Sequence, residues 1–195
     1  MVDYAEKLSR MSYDYRLFKR IDGEDPLVTA QRDSEGFPST PPDPQTEALK
    51  RRVADALIAH NPQLKIFQFE YEEIAKFEEI SVEAARCKYR HLELQGPDEG
   101  SNGIQITLYD DEASVTVPFW HEGDKAADTF REIWQYLEII CRESGYSAYD
   151  PQIYGVLDLS AGYEEALASY AGTVCTIRKA LPVGGTRRKP WWKFW

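Results

Sequence analysis

The sequence predicts an α+β domain in which an antiparallel sheet of about five strands is covered on one face by helices, in a ferredoxin-like or related sandwich. Two observations indicate this class. Residues Ile104–Tyr109 and Ala113–Phe119 alternate between apolar and polar side chains, which is typical of strands with one buried and one solvated face. Residues 124–145 follow directly and carry the strongest apolar helical stripe of the chain, which predicts the covering helix.

The stripe recurs at three- and four-residue steps, so its members lie on one side of the predicted helix. They are Ala127, Phe130, Ile133, Trp134, Leu137, Ile140 and Cys141. Each large member contributes roughly 1.5–3 kcal/mol when buried. Asp124 is the expected N-cap, and Gly145 is the expected residue after the last turn. We interpret this stretch as scaffold.

The remaining elements are predicted from capping residues, turn residues and periodicity. In chain order they are a strand from Tyr13 to Leu17, a long loop from Gly23 to Pro44, a helix from Asp43-Pro44 to Asn61, a strand over 64–71, an acidic stretch over 72–85 that fits a helix or a strand, a strand over 87–94, a turn over 146–152, a strand over 154–159, and a last helix capped by Ser160 and covering Tyr163, Leu167 and Tyr170.

Composition divides the chain into three parts: a leader at 1–10, one α+β domain at 11–179, and a basic, tryptophan-rich tail at 180–195. Met11 is an alternative start. No apolar run reaches the length of a membrane span, and the first ten residues lack the apolar core of a signal peptide. The three cysteines are widely spaced, which favours reduced thiols in the cytoplasm.

Charge is distributed unevenly. Six basic residues and no acidic residue follow Glu165, so the net charge of −10 divides into +6 for this end and −16 for the rest. An acidic body argues against nucleic-acid binding and is compatible with a basic protein partner. Acidity that serves only solubility is the alternative interpretation.

Few residues are candidates for catalysis. His121 and Glu122 lie at a strand-to-helix junction, where side chains stand beside free N–H groups. Their spacing matches no zinc or calcium motif, and the Asp124 cap and the helix dipole already explain the acidic residues there. His91 has Glu93 on the same strand face. No nucleophile elbow or phosphate loop occurs, so the sequence indicates no cofactor.

Two segments are candidates for partner binding. The turn after Gly145 offers rigid aromatic and hydrogen-bonding side chains, which suit recognition surfaces; the alternative interpretation is that the same rings close the end of the core. Its candidate residues are Tyr146, Tyr149, Asp150, Gln152 and Tyr154. The tail packs four aromatic and four basic residues into its last nine positions, with Trp191, Trp192, Phe194 and Trp195 as the aromatic ones.

Exposed tryptophans favour aggregation, so we expect the tail to dock on its own domain or on a partner protein. Membranes and single-stranded nucleic acids also suit tryptophans and cations, but an acidic body repels both. Gly184-Gly185 is the expected hinge.

We therefore predict a non-catalytic cytoplasmic protein-binding module without a cofactor, for example an acidic immunity or inhibitor protein that covers a basic toxin or nuclease. One alternative is a small metal-dependent hydrolase that uses His121 and Glu122 with His91 or Asp150. Another is a scaffold that docks through its C-terminal tail.

Overall fold

The structure is a computed structural model that describes residues 13–32, 42–97, 102–118, 120–121 and 123–180. Within these ranges, seven strands form one antiparallel sheet, and six helices accompany it. The α+β class is confirmed, whereas the expected number of about five strands is wrong. The ferredoxin-like arrangement stays a prediction. The leader and residues 181–195 of the tail lie outside the described residues.

The strands are β1 Tyr13–Phe18, β2 Lys65–Ile66, β3 Leu92–Gln95, β4 Gln105–Leu108, β5 Glu112–Val117, β6 Ser147–Asp150 and β7 Gly155–Val156. The helices are α1 Pro26–Gln31, α2 Pro44–His60, α3 Tyr71–Glu78, α4 Val82–Lys88, α5 Gly123–Ser144 and α6 Tyr163–Ala180. The strand order is β2-β3-β4-β5-β1-β6-β7. β1 therefore joins the central hairpin, β4 and β5, to the strands that follow α5.

The central hairpin and α5 form where the sequence predicts them. Ile106 of β4 pairs with Val115 of β5, and both side chains are fully buried. On α5, the buried residues include Phe130, Ile133, Trp134, Leu137 and Ile140 of the predicted stripe. The buried surface is wider than the stripe, because α5 also packs between α2 and α6.

Capping chemistry explains the helix ends. The Asp43 carboxylate accepts from the Thr46 backbone N–H at 2.9 Å, so α2 begins as predicted. Gly145 has φ +76 and ends α5 as predicted. Asp124 was expected to cap α5 but lies inside its first turn, because the helix begins at Gly123. Ser160 likewise precedes α6 without capping it, and its hydroxyl donates instead to Asp158.

Several strand predictions need correction. Only residues 65–66 of the predicted strand at 64–71 pair with β3, after which the chain turns into α3. The acidic stretch at 72–85 is helical, and α4 occupies the first part of the strand predicted at 87–94. The Ser81 hydroxyl caps α4 by accepting from Ala84 N–H. The Ser81 cap is a local signal for a helix, whereas the alternating side chains that follow it indicate a strand.

The two faces of the sheet differ. α2, α5 and α6 pack on the core face, together with Tyr15, Leu17, Ile106 and Val115. Against expectation, one helix lies on the other face, which we call the polar face. There α1, inside the predicted loop at 23–44, packs beside Phe18 and Tyr149. Asp25 caps α1 and Pro26 follows it, the same pair of signals that starts α2. Within the described residues, no helix is long and apolar enough to cross a bilayer.

A buried ion network ties α2 to the turn of the central hairpin. The Lys50 side chain is only 2% exposed, and its Nζ donates to Asp110 Oδ1 at 2.9 Å and to the Arg90 carbonyl at 3.0 Å. Glu47 Oε1 lies 2.6 Å from the same Nζ. Arg90 donates to Asp110 Oδ2 through Nε at 2.8 Å and also through Nη2. Asp110 therefore compensates two cations.

Replacing Asp110 with Asn should lower the free energy of unfolding by about 2–3 kcal/mol, because the buried Lys50 ammonium would lose an anionic partner. The loss stays in this range because Asp110 itself is partly exposed, so that solvent screens part of its interaction with the cations. Urea unfolding measures this value. The exposed neighbour Asp111 supplies the matched control, and Asp111→Asn should change stability by less than about 0.5 kcal/mol. Equal effects of the two variants would contradict the network's role.

The same network predicts a dependence on pH. Burial by itself raises the pKa of Asp110, but hydrogen bonds from Arg90 and Lys50 outweigh burial and hold that pKa below its usual value. A carboxyl group whose pKa is lowered by folding stabilises the folded state at pH values above its unfolded-state pKa of about 4. This stability is lost as the pH falls through the folded-state pKa. The stability difference between wild type and Asp110→Asn should therefore be constant between about pH 5 and 7 and shrink below about pH 4. Urea titrations across this range measure it, and a difference that grew toward acid pH would refute the assignment.

Candidate functional site

The tyrosine segment after α5 is only partly a turn. Residues 147–150 form β6, which pairs with β1, so the prediction of an exposed turn is wrong there. Tyr149 packs against Phe18 and Ala30, and Gln31 Nε2 donates to its hydroxyl at 3.2 Å. Asp150 is fully buried and accepts from the Gln152 N–H at 2.8 Å. These two side chains contribute to the interior.

The other members of the segment differ in exposure. Tyr146 is half-buried, and burial, followed by the charges of Asp111 and Asp110, raises its pKa to about 12. Gln152 is exposed, and Tyr154 is 71% exposed with φ +50. Only the turn at 151–154 therefore presents side chains outward, and its role in partner binding stays a prediction.

The structure does not bring His91 and His121 together, which are the candidate metal residues that it describes. His91 stands just before β3, beside Tyr109 at the hairpin turn, and its Nε2 lies 3.1 Å from Glu93 Oε1. His121 follows β5 at the opposite end of the strands, and its Nε2 lies 2.6 Å from the Asn102 carbonyl. In the part of the chain that the structure describes, no three His, Cys, Asp or Glu side chains are grouped to hold a metal ion. Glu122 and the tail residues Trp191, Trp192, Phe194 and Trp195 lie outside the described residues.

The sequence patterns did not predict a polar cluster that lies between α2 and α5. Glu132 Oε1 accepts from Asn61 Nδ2 at 3.0 Å and from the Tyr136 hydroxyl, while Glu132 Oε2 accepts from Asn102 Nδ2. These residues line a small cavity of about 70 Å³. Burial, and then the Glu132 hydrogen bond, raise the pKa of Tyr136. Because its donors and acceptors satisfy one another, the cluster fits a structural role.

The most unusual surface lies on α3, α4 and their connection. Residues 70–83, which we call the acidic segment, hold six glutamates and one lysine. Five of these glutamates are exposed: Glu70, Glu72, Glu73, Glu79 and Glu83. Phe77 lies among them with 81% of its side chain exposed. A large apolar ring that is so exposed contributes little to the core, and exposed apolar groups of this kind are candidates for interaction with a partner.

Hydrogen bonds of Glu78 connect the two helices that carry the acidic segment. Glu78 accepts from Lys88 Nζ at 2.7 Å and from the Tyr89 hydroxyl, which joins α3 to the end of α4. These hydrogen bonds, from Lys88 first and Tyr89 second, lower the pKa of Glu78. Glu79 ends α3 in the left-handed conformation with φ 57. The charged surface is therefore carried on two connected helices.

Six rings connect these helices to the sheet, and we call them the aromatic ladder. Its members are Phe67, Phe69, Tyr71, Tyr89, His91 and Tyr109. Phe69 is central, with ring centroids 5.1 Å from Phe67, 5.9 Å from Tyr89 and 5.0 Å from His91. His91 continues the row to Tyr109 at 5.4 Å. These spacings are typical of interacting aromatic pairs.

Comparison with protein-family models, with curated proteins and with solved structures found no match. Any functional proposal therefore depends on the surface chemistry of the chain.

The exposure of the tyrosine segment predicts a contrast between two variants. Tyr149→Ala should lower the free energy of unfolding by about 3–5 kcal/mol, because it empties a packed site. Tyr154→Ala should change it by less than about 1 kcal/mol, because that ring is exposed. Chemical denaturation of both variants measures the difference. A large loss of stability for Tyr154→Ala, with no loss for Tyr149→Ala, would contradict the assignment of Tyr149 to the interior and Tyr154 to the surface.

Proposed function

We propose that this protein is a non-catalytic binding module that recognises a basic protein through its acidic segment, residues 70–83. The observation that carries the proposal is Phe77, 81% exposed among five exposed glutamates. Interfaces combine an apolar anchor with a charged rim in this way. The carboxylates would attract and orient a cationic partner, while the ring would supply contact area that excludes water.

Charge balance supports a partner of opposite sign. Glu70, Glu73, Glu79 and Glu83 make no ion pair with other described residues. Glu72 has only a distant one, 3.7 Å from Arg86. Carboxylates without a fixed counter-ion remain available to an incoming cation at little cost, since no existing bond must be broken.

An acidic immunity or inhibitor protein that covers a basic toxin or nuclease is the specific form of this function that we favour. A basic nuclease would bind nucleic acid through a cationic surface, and a surface rich in exposed glutamates can pair with the same cations. The expected partner is a protein, and neither a cofactor nor a catalytic step is required.

The proposal predicts the effect of neutralising the acidic segment. The triple variant Glu73→Gln, Glu79→Gln and Glu83→Gln should lose a basic protein that co-purifies with the full-length chain from its native cells. Association with wild type should weaken by about tenfold or more as ionic strength rises from low to physiological, because salt screens the exposed charges. Quantitative mass spectrometry and a binding titration in graded salt measure the two effects.

A matched control removes the same charge elsewhere. Glu138, Glu164 and Glu165 are exposed and lie on α5 and α6. Their triple Gln variant has the same net charge as the first variant, and it should retain the partner. Equal losses in both variants would indicate a general charge effect, and salt-independent binding would overturn the acidic-segment mechanism.

A further inference from the structure

The strand residues of the aromatic ladder lie on the polar face of the sheet, and ring contacts of Phe69 with Tyr71 and Tyr89 connect them to the acidic segment. Phe67 donates its backbone N–H to the Glu93 carbonyl at 2.8 Å, and Glu93 pairs with Thr107 of β4. Neighbouring strands are about 4.8 Å apart, so the side chains of Phe67, Glu93 and Thr107 form one row across the sheet. Phe69, His91 and Tyr109 form the next row.

The ladder already binds cations of its own chain. The Arg86 guanidinium carbon lies 4.7 Å from the centroid of the Tyr71 ring, and Lys88 Nζ lies 5.3 Å from the centroid of Tyr89. Both distances are within the range of cation–π attraction. The rings at the helical end of the ladder are therefore occupied by cations.

Two outer rings of the ladder, Phe67 and Tyr109, carry no such cation from the described part of the chain, and the carboxylate of Glu93 lies on the strand between them. Phe67 and Tyr109 are each 37% exposed, and no cation of the described residues lies over either ring. Glu93 Oε2 accepts from Gln105 Nε2 at 3.2 Å, and Glu93 Oε1 lies 3.1 Å from His91 Nε2, so each carboxylate oxygen uses one lone pair. The remaining lone pairs are available to a further donor.

Carboxylates on several strands act on the Tyr109 ring. Burial, and then the charges of Glu112, Glu93 and Asp14, raise the pKa of Tyr109. Arg16 neutralises Glu112 through a contact of 2.6 Å. Glu93 has no comparable contact with Lys or Arg among the described residues. A carboxylate flanked by partly exposed rings is suited to a planar cation, because guanidinium can stack on a ring and donate two hydrogen bonds at once.

We propose that two outer rings of the aromatic ladder, Phe67 and Tyr109, with Glu93 on the strand between them, form a binding site for an arginine side chain of the basic partner. The site rests on the proposed function and refines it, since it names arginine and not lysine as the cation that the partner must present. Lysine would gain the electrostatic attraction but not the planar stacking or the paired hydrogen bonds. A single-stranded nucleic acid could stack on the same rings, but the surrounding carboxylates repel phosphate.

Two matched peptides test the site, one alternating glycine with arginine and the other alternating glycine with lysine, at equal length and charge. The full-length chain should bind the arginine peptide about three- to tenfold more tightly. Calorimetry measures both affinities, and amide chemical shifts should move at residues 91–93 and 107–109 with the arginine peptide.

Variants separate this site from the acidic segment. Glu93→Gln and Tyr109→Leu should each remove most of the preference for arginine, while Tyr109→Phe, which keeps the ring, should retain it. Trp120→Leu is the control for an aromatic side chain outside the ladder, because the Trp120 ring is 53% exposed. The triple Gln variant of Glu73, Glu79 and Glu83 should weaken both peptides equally, because it removes long-range attraction without changing the stacking site.

Each other outcome identifies what failed. Equal affinities for the two peptides, unchanged by the ladder variants but lowered by the triple variant, would overturn the arginine site and leave the proposed function standing. Failure of both peptides to bind wild type would count against the ladder and the acidic segment together. Binding of a single-stranded oligonucleotide that is lost in Tyr109→Leu would replace the arginine site with a nucleic-acid platform.

Discussion

Burial of one face of the sheet beneath α5 is the constraint on which the rest of the structure depends. Phe130, Ile133 and Leu137 are fully buried on that helix, and their removal from water is the largest local driving force in the chain. Because side chains alternate along a strand, this burial also decides which residues of β3, β4 and β5 point away from the core. The polar face, with Glu93 and Tyr109, is the necessary counterpart of the core face.

The ion network at Lys50 gives this arrangement a specific geometry. Burial of α2 and α5 by apolar contacts is weakly directional, whereas Lys50 must meet both Asp110 and the Arg90 carbonyl. A buried charge that loses its partner is costly, so alternative packings of α2 against the hairpin turn are disfavoured. The network also holds Arg90 directly before the strand that carries Glu93. Packing and polar contacts together therefore position the ladder.

The acidic segment and the ladder fit one mechanism of recognition. Exposed glutamates act over the distance of a Debye length, and they raise the rate of encounter with a cationic partner. Stacking and paired hydrogen bonds act only at contact, and they discriminate between cations of equal charge. The helices that carry the charge also provide Tyr71 and adjoin Tyr89, so the proposed attraction and the proposed discrimination would come from connected parts of the chain.

The sequence by itself determined the elements whose signals are local. Alternation predicted the β4–β5 hairpin, helical periodicity predicted α5, and Asp43-Pro44 predicted the start of α2, because each pattern reflects the geometry of its own segment. The acidic charge that motivates a basic partner was also visible in the composition. By contrast, Tyr149 and Asp150 resemble turn residues, but Tyr149 pairs with Arg16 of β1, far away in the sequence, and Asp150 pairs with Gly155 of β7. The two-residue strands β2 and β7 are too short to show periodicity in the sequence, and they are defined by pairing with their partner strands.

The aromatic ladder consists of residues that lie between positions 67 and 109 of the sequence. Only the pairing of β2, β3 and β4 could bring its rings together, since no local pattern encodes contacts between distant strands.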